Sequence, residues 1–208
     1  MMCLISNKYK FIFIKTCRVS GTETEAFLKQ FSDECYTNSS LNVKNGLYEH
    51  STALQIKEYL IKNNRQKDWD NYLKITIIRN PYAMILSSFG WCQIRNVLIN
   101  KNIDFNEWLT INMLKNIKLL LFDKLYIDNE LIIDKFIYKE NKEQTLNEIL
   151  HILGINKKYK SDEQQIIASR VSRFNSDDYH KFYNQKSIDL VSNDLELSKF
   201  MNEFNYKY

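Results

Sequence analysis

The residues best suited to chemistry fall in two short stretches, each with basic residues at the end of an apolar run. In the first, Lys15 and Arg18 follow Phe11 to Ile14 and precede Gly21, Thr22, Glu23, Thr24 and Glu25. In the second, Arg79 follows Ile75, Ile77 and Ile78 and leads into Asn80 and Pro81, with Ser87 eight residues on. A strand, a tight loop and a helix N-terminus make an anion-binding device, because loop N–H groups and the helix dipole point at one ligand. Arg79 adds a planar fork for bidentate phosphate contact, and Ser87 a hydroxyl. Each has a plainer reading, Arg79 as a surface ion pair and Ser87 as an ordinary helix serine. The spacing of Arg79, Pro81 and Ser87 after an apolar run favours the anion site.

A nucleotide-triphosphatase loop is not among these motifs. That loop needs G-x-x-x-x-G-K-[ST], and none of the four glycines (Gly21, Gly46, Gly90, Gly154) is followed by Lys and then Ser or Thr.

The elements that must position these residues alternate strand and helix. Lys8 to Lys15 reads as a strand covered on both faces, and a helix begins at Thr22 or Glu23. Residues 32–45 read as a loop ending near Gly46, and a helix is expected over 51–64 with Ser51 as its cap. A second buried strand precedes Arg79, and Pro81 suits the first position of a helix. Asp104 and Glu107 form a capping box that predicts a helix through about Leu121. Leu131 to Asp134 and Phe136 to Tyr138 are short strand candidates, and a helix over 141–153 should stop at Gly154. The tail from Gln164 reads as polar helix and turn. This order predicts an α/β fold, a three-layer α/β/α arrangement around a mainly parallel sheet, in a single domain over 1–208. In such sheets the strands' carboxyl ends line the ligand crevice, where both basic stretches fall.

Composition narrows the class. The 208 residues are 44% hydrophobic with a formal charge of +4, enough for a real core and outside the disordered regime. Lys and Asp/Glu are interspersed rather than gathered into a basic stripe, which argues against a nucleic-acid partner. The cysteines (Cys3, Cys17, Cys35, Cys92) form no C-x-x-C pair and have no histidine at zinc spacing, so no metal is expected and reduced thiols are. No apolar run approaches the ~20 residues of a membrane span, and the N-terminus lacks the pattern of a signal peptide. A soluble, cytoplasmic protein is expected.

Together these stretches resemble the sulfotransferases that use 3′-phosphoadenosine 5′-phosphosulfate (PAPS), with the look of membrane-free relatives of the carbohydrate sulfotransferases. The first stretch is similar to that family's 5′-phosphosulfate loop, often written K-T-x-G-T-S, with Arg18 to Glu23 on the pattern. Arg79 and Ser87 match the 3′-phosphate motif, and Asp104 to Leu109, Tyr138 to Asn141 and Phe204 to Tyr206 add to the likeness over most of the chain. The resemblance implies a P-loop-like fold, PAPS as donor with 3′-phosphoadenosine 5′-phosphate (PAP) as product, and a small-molecule or glycan hydroxyl as acceptor. It implies that Ser20, Gly21, Thr22, Glu23 and Thr24 cradle the 5′-phosphosulfate while Arg18 neutralises the transferring group. Arg79 and Ser87 would take the 3′-phosphate, with Arg173 closing over it. His50, between the two motifs, is the implied base, with Glu25 and Glu49 as other candidates; His151 reads as structural.

Three positions depart from the family loop: Arg18 stands for its lysine, Val19 for a threonine and Glu23 for a serine. Arginine stabilises charge but does not readily give up a proton, which leaves Lys15 as the proton donor. These departures carry a second reading, a nucleotide-binding relative with impaired catalysis. A kinase using ATP is a third, opposed by the missing Gly-Lys-Ser/Thr.

Overall fold

The computed structural model describes residues 3–19, 21–36, 47, 51–95, 98, 102–160 and 176–208. The described chain separates into two compact units, Met1–Ile78 with Leu121–Ser169, and Arg79–Leu120 with Arg170–Tyr208.

The first unit is built on a five-stranded sheet. Its strands are β1 (Cys3–Ser6), β2 (Phe11–Ile14), β3 (Glu34–Tyr36), β4 (Leu73–Ile78) and β7 (Lys135–Tyr138), in the order β3-β1-β2-β4-β7. β2 and β4 are parallel neighbours with Ile14 opposite Thr76, and β4 and β7 are parallel with Ile77 opposite Ile137. All of β2 and most of β4 are buried, β2 as an unbroken apolar run and β4 with Lys74 and Thr76 among its isoleucines. Thr76 Oγ1 donates to Ile14 O at 2.6 Å and Thr16 Oγ1 donates to Ile77 O, stitching the two strands at their carboxyl ends.

The sheet is mixed, not mainly parallel. β1 pairs antiparallel with both β2 and β3. The β1–β2 turn carries no glycine; Lys10 takes the left-handed conformation (φ 57°) instead, so the usual hairpin signal is missing. β3 lies in the stretch expected to be loop.

Helix α1 (Gly21–Lys29) follows β2; α2 (Ala53–Lys62) and α3 (Gln66–Asn71) lead into β4. The cap of α2 is Thr52, not Ser51: its hydroxyl accepts from Gln55 N while the Gln55 side chain accepts from Thr52 N. Beyond β4 come α4 (Pro81–Ile94), α5 (Phe105–Trp108) and α6 (Ile111–Leu125). The helix expected from Asp104 to Leu121 is therefore broken. Leu109 leaves helical geometry (ψ 87°), and the Thr110 hydroxyl accepts from Met113 N at 3.3 Å, restarting the chain as a new helix.

The expected strand at 131–134 shrinks to β6 (Glu130–Leu131), paired with β5 (Tyr126–Ile127) through left-handed Asp128 and Asn129. Helix α7 (Lys142–Ile152) follows β7, and Gly154 beyond it takes φ 68° as a C′ residue should. Helices α1 and α7 pack on one face of the sheet. Phe27 and Leu28 meet Leu146, Ile149 and Leu150 over Phe11, Phe13, Ile75 and Ile77.

The second unit is helical. α4 is capped by Asn80, whose Oδ1 accepts from Tyr82 N at 2.9 Å, with Pro81 at its first position. A 3-10 segment (Ser176–Lys181), α8 (Gln185–Ser192) and α9 (Leu195–Glu203) complete it. Its tail is less polar than its composition suggests, with Val191, Leu197, Phe200 and Met201 buried.

Candidate functional site

In the first unit the site is the turn from β2 into α1. Lys15 is buried and lies across Gly21: a Cβ on that glycine would sit 2.8 Å from Lys15 Cε. The missing side chain thus makes room for the lysine stem. Lys15 Nζ reaches the first turn of α1, donating to Thr22 Oγ1 at 3.2 Å and to the Glu25 carboxylate. Both members of this ion pair are sealed, with side chains only 4% and 7% exposed.

Arg18, half-buried, holds φ 60°, a conformation that costs a non-glycine residue about 1 kcal/mol or more. Thr24 is buried, and its hydroxyl has no hydrogen-bond partner among the described residues. Such an orphan at a helix N-terminus is the kind of group an anion satisfies.

Glu23, which stands where the family pattern has a serine, turns its carboxylate into the protein. It accepts from Lys142 Nζ and from Tyr159 OH, each at 2.6 Å. Lys142 is the first residue of α7, and the Asn147 side chain of the same helix pins Tyr159, donating from Nδ2 to Tyr159 O and accepting at Oδ1 from Tyr159 N. The carboxylate is thereby neutralised and fastens α1 to α7.

In the second unit Arg79 follows β4 directly and is buried, its guanidinium paired through Nη2 with Asp177. Arg79 keeps 4% of its side-chain surface, Asp177 57%. Asn80 is held from the far end of the chain, donating from Nδ2 to Tyr179 OH at 3.1 Å and to Lys207 O at 2.8 Å. Tyr179 stacks on Tyr82 at 5.9 Å, and Tyr208 meets both rings edge-on. Burial pushes the Tyr82 and Tyr183 phenols upward, so they stay protonated. Ser87 is half-buried on α4.

Ser20, His50, Glu49 and Arg173 lie outside the described residues. Of the expected site residues, the structure groups Lys15, Gly21 and Thr22 around one ammonium with Glu25. Lys142, Tyr159 and Asp177 escaped sequence reasoning. Lys142 had a usable signal, a cation at the start of the helix after a third parallel strand; the other two had none.

Comparison of the chain with protein-family models, curated proteins and solved structures finds no match. Among the described residues no group of three or more His, Cys, Asp or Glu is disposed to hold a metal, and no helix is long and apolar enough to cross a membrane.

Proposed function

We propose that the protein binds a 3′-phosphoadenosine nucleotide and transfers the sulfuryl group of PAPS to a hydroxyl acceptor, a small molecule or a glycan. The observation that carries this reading is a repeated construction. β2 and β4 are parallel neighbours, and each is followed at its carboxyl end by a buried basic residue, Lys15 or Arg79, and then by a helix N-terminus.

In the transfer the acceptor oxygen attacks sulfur, the bond to the bridging oxygen breaks, and PAP leaves with the negative charge. Positioned cations and N–H groups can stabilise that charge. Lys15 and Arg18 would supply the cations beside the 5′-phosphosulfate. The N–H groups at Gly21 to Thr24, with the Thr22 and Thr24 hydroxyls, would supply the donors. The orphaned Thr24 hydroxyl and the neutralised Glu23 fit such a ligand. Arg79 and Ser87 would hold the 3′-phosphate, and His50 would take the acceptor's proton.

The second reading, nucleotide binding without turnover, is favoured by one feature: Lys15 is already neutralised by Glu25 in a buried pair. Calorimetry with adenosine 3′,5′-bisphosphate, in the absence of magnesium, tests the shared part of both. Wild type should bind, and Arg79→Ala should lose about tenfold or more, as when a charge-assisted pair is removed. Failure of the wild type to bind overturns both readings, and preference for ATP with magnesium would install a kinase instead. Binding without sulfuryl transfer from PAPS to a panel of hydroxyl acceptors selects the second reading.

A further inference from the structure

Resting on that reading of Arg79, we infer that Asp177 is the specificity-determining residue of the 3′-phosphate site, an exchangeable counter-ion that only a strongly charged phosphate displaces. The Arg79–Asp177 pair is asymmetric. Arg79 is buried and must keep an anion against its guanidinium, since a buried charge left alone is costly. Asp177 keeps 57% of its side-chain surface in solvent, so water replaces the contact when its carboxylate swings away. Burial ties Arg79 to an anion more strictly than it ties the exposed Asp177 carboxylate to Arg79.

A phosphate monoester carries more charge than a carboxylate and can take the guanidinium fork bidentately. It wins the exchange, where a singly charged or neutral substituent at the ribose 3′ position does not. The exchange needs no unfolding. Tyr179, two residues on, stays anchored by its stack on Tyr82, by the bond from Asn80 and by its own bond to Lys207 O at 3.2 Å.

The test is calorimetry on the full chain with two probes, adenosine 3′,5′-bisphosphate and adenosine 5′-monophosphate, for wild type, Asp177→Asn, Asp177→Ala, Arg79→Ala and Arg79→Ala with Asp177→Asn. Circular dichroism checks that each variant is folded. Removing the competing carboxylate should tighten the bisphosphate by about fivefold or more. It should leave the monophosphate unchanged, and the gain should vanish in the Arg79→Ala background.

An equal gain for both probes would mean a general loss of negative charge and overturns the proposal. A weaker bisphosphate in both Asp177 variants would make Asp177 a support for Arg79 and also overturns it. If wild type binds, Arg79→Ala weakens binding and Asp177→Asn changes nothing, this inference fails while the functional reading stands. If no variant binds the bisphosphate, both fall.

Discussion

The turn after β2 and the turn after β4 begin alike and are finished differently. Each places a buried basic residue between a parallel strand and a helix. At the first, Lys15 is neutralised by Glu25, ten residues on and in the helix the turn leads into. At the second, Arg79 is neutralised by Asp177, 98 residues on. The first pair is sealed on both sides and the second is open on one. A sealed local pair holds a turn in shape, whereas a long-range pair with one exposed member can be exchanged for a ligand. On the proposed reading, the sealed pair stiffens the turn from which Lys15 would face the 5′-phosphosulfate, and the open pair is the one that a ligand would exchange.

The largest effect should come from breaking the sealed pair. Glu25→Gln leaves a buried ammonium without its carboxylate and should cost about 3–5 kcal/mol of stability in urea denaturation. The variant should recover more melting temperature than wild type on addition of adenosine 3′,5′-bisphosphate, because the ligand then supplies the missing charge. A loss below about 1 kcal/mol, typical of a solvated pair, would put Lys15 on the same footing as Arg79 and dissolve the contrast.

A smaller effect should follow from filling the space over Gly21. In Gly21→Ala the new methyl would meet Lys15 Cε at 2.8 Å, and the lysine, tethered at its tip by Glu25, cannot simply swing aside. Overpacking of this kind costs about 1–3 kcal/mol, and the helix gains back about 0.5–1 kcal/mol from losing a glycine. The expected net loss is on the order of 1 kcal/mol. Repeating the substitution in a Lys15→Met background, where the tether is gone, should abolish it. Persistence of the loss there would mean that Gly21 serves its own backbone and not the lysine.

How far the sequence foretold these sites follows the same local and long-range division. β2 was legible as an unbroken apolar run and β4 from Ile75, Ile77 and Ile78 just before Arg79. Pro81 and Gly154 were legible because cap chemistry is written within a few residues, whereas the Asn80 cap was not read. The antiparallel side of the sheet was not: β1 and β3 are short, and the turn between β1 and β2 bends at Lys10 rather than at a glycine. The break at Leu109 was hidden because Asp104 does start a helix, its carboxylate accepting from Asn106 N, and no glycine or proline between Leu109 and Leu121 marks a stop. Partners far along the chain left little trace, Lys142 at the start of its helix excepted. Glu23 looked like a carboxylate pointed at an anion, and it is disarmed by Lys142 and Tyr159, 119 and 136 residues away. Asp177 drew no notice for the same reason.

The smallest effect should come from loosening the long-range hold on the second turn without touching its pair. Tyr179 accepts from Asn80 and donates to Lys207 O, and Tyr179→Phe removes both bonds while keeping the stack on Tyr82. Asn80 retains Lys207 O and its cap on Tyr82 N, so the loss should be about 0.5–1.5 kcal/mol. Affinity for adenosine 3′,5′-bisphosphate should move by less than about twofold, since Arg79 and Asp177 are undisturbed and 1.4 kcal/mol would already be tenfold. A loss of about tenfold would mean that the tyrosine cluster, and not the cap at Asn80, sets the direction of Arg79. The second turn would then be as rigidly built as the first, with its rigidity drawn from the end of the chain instead of from its own helix.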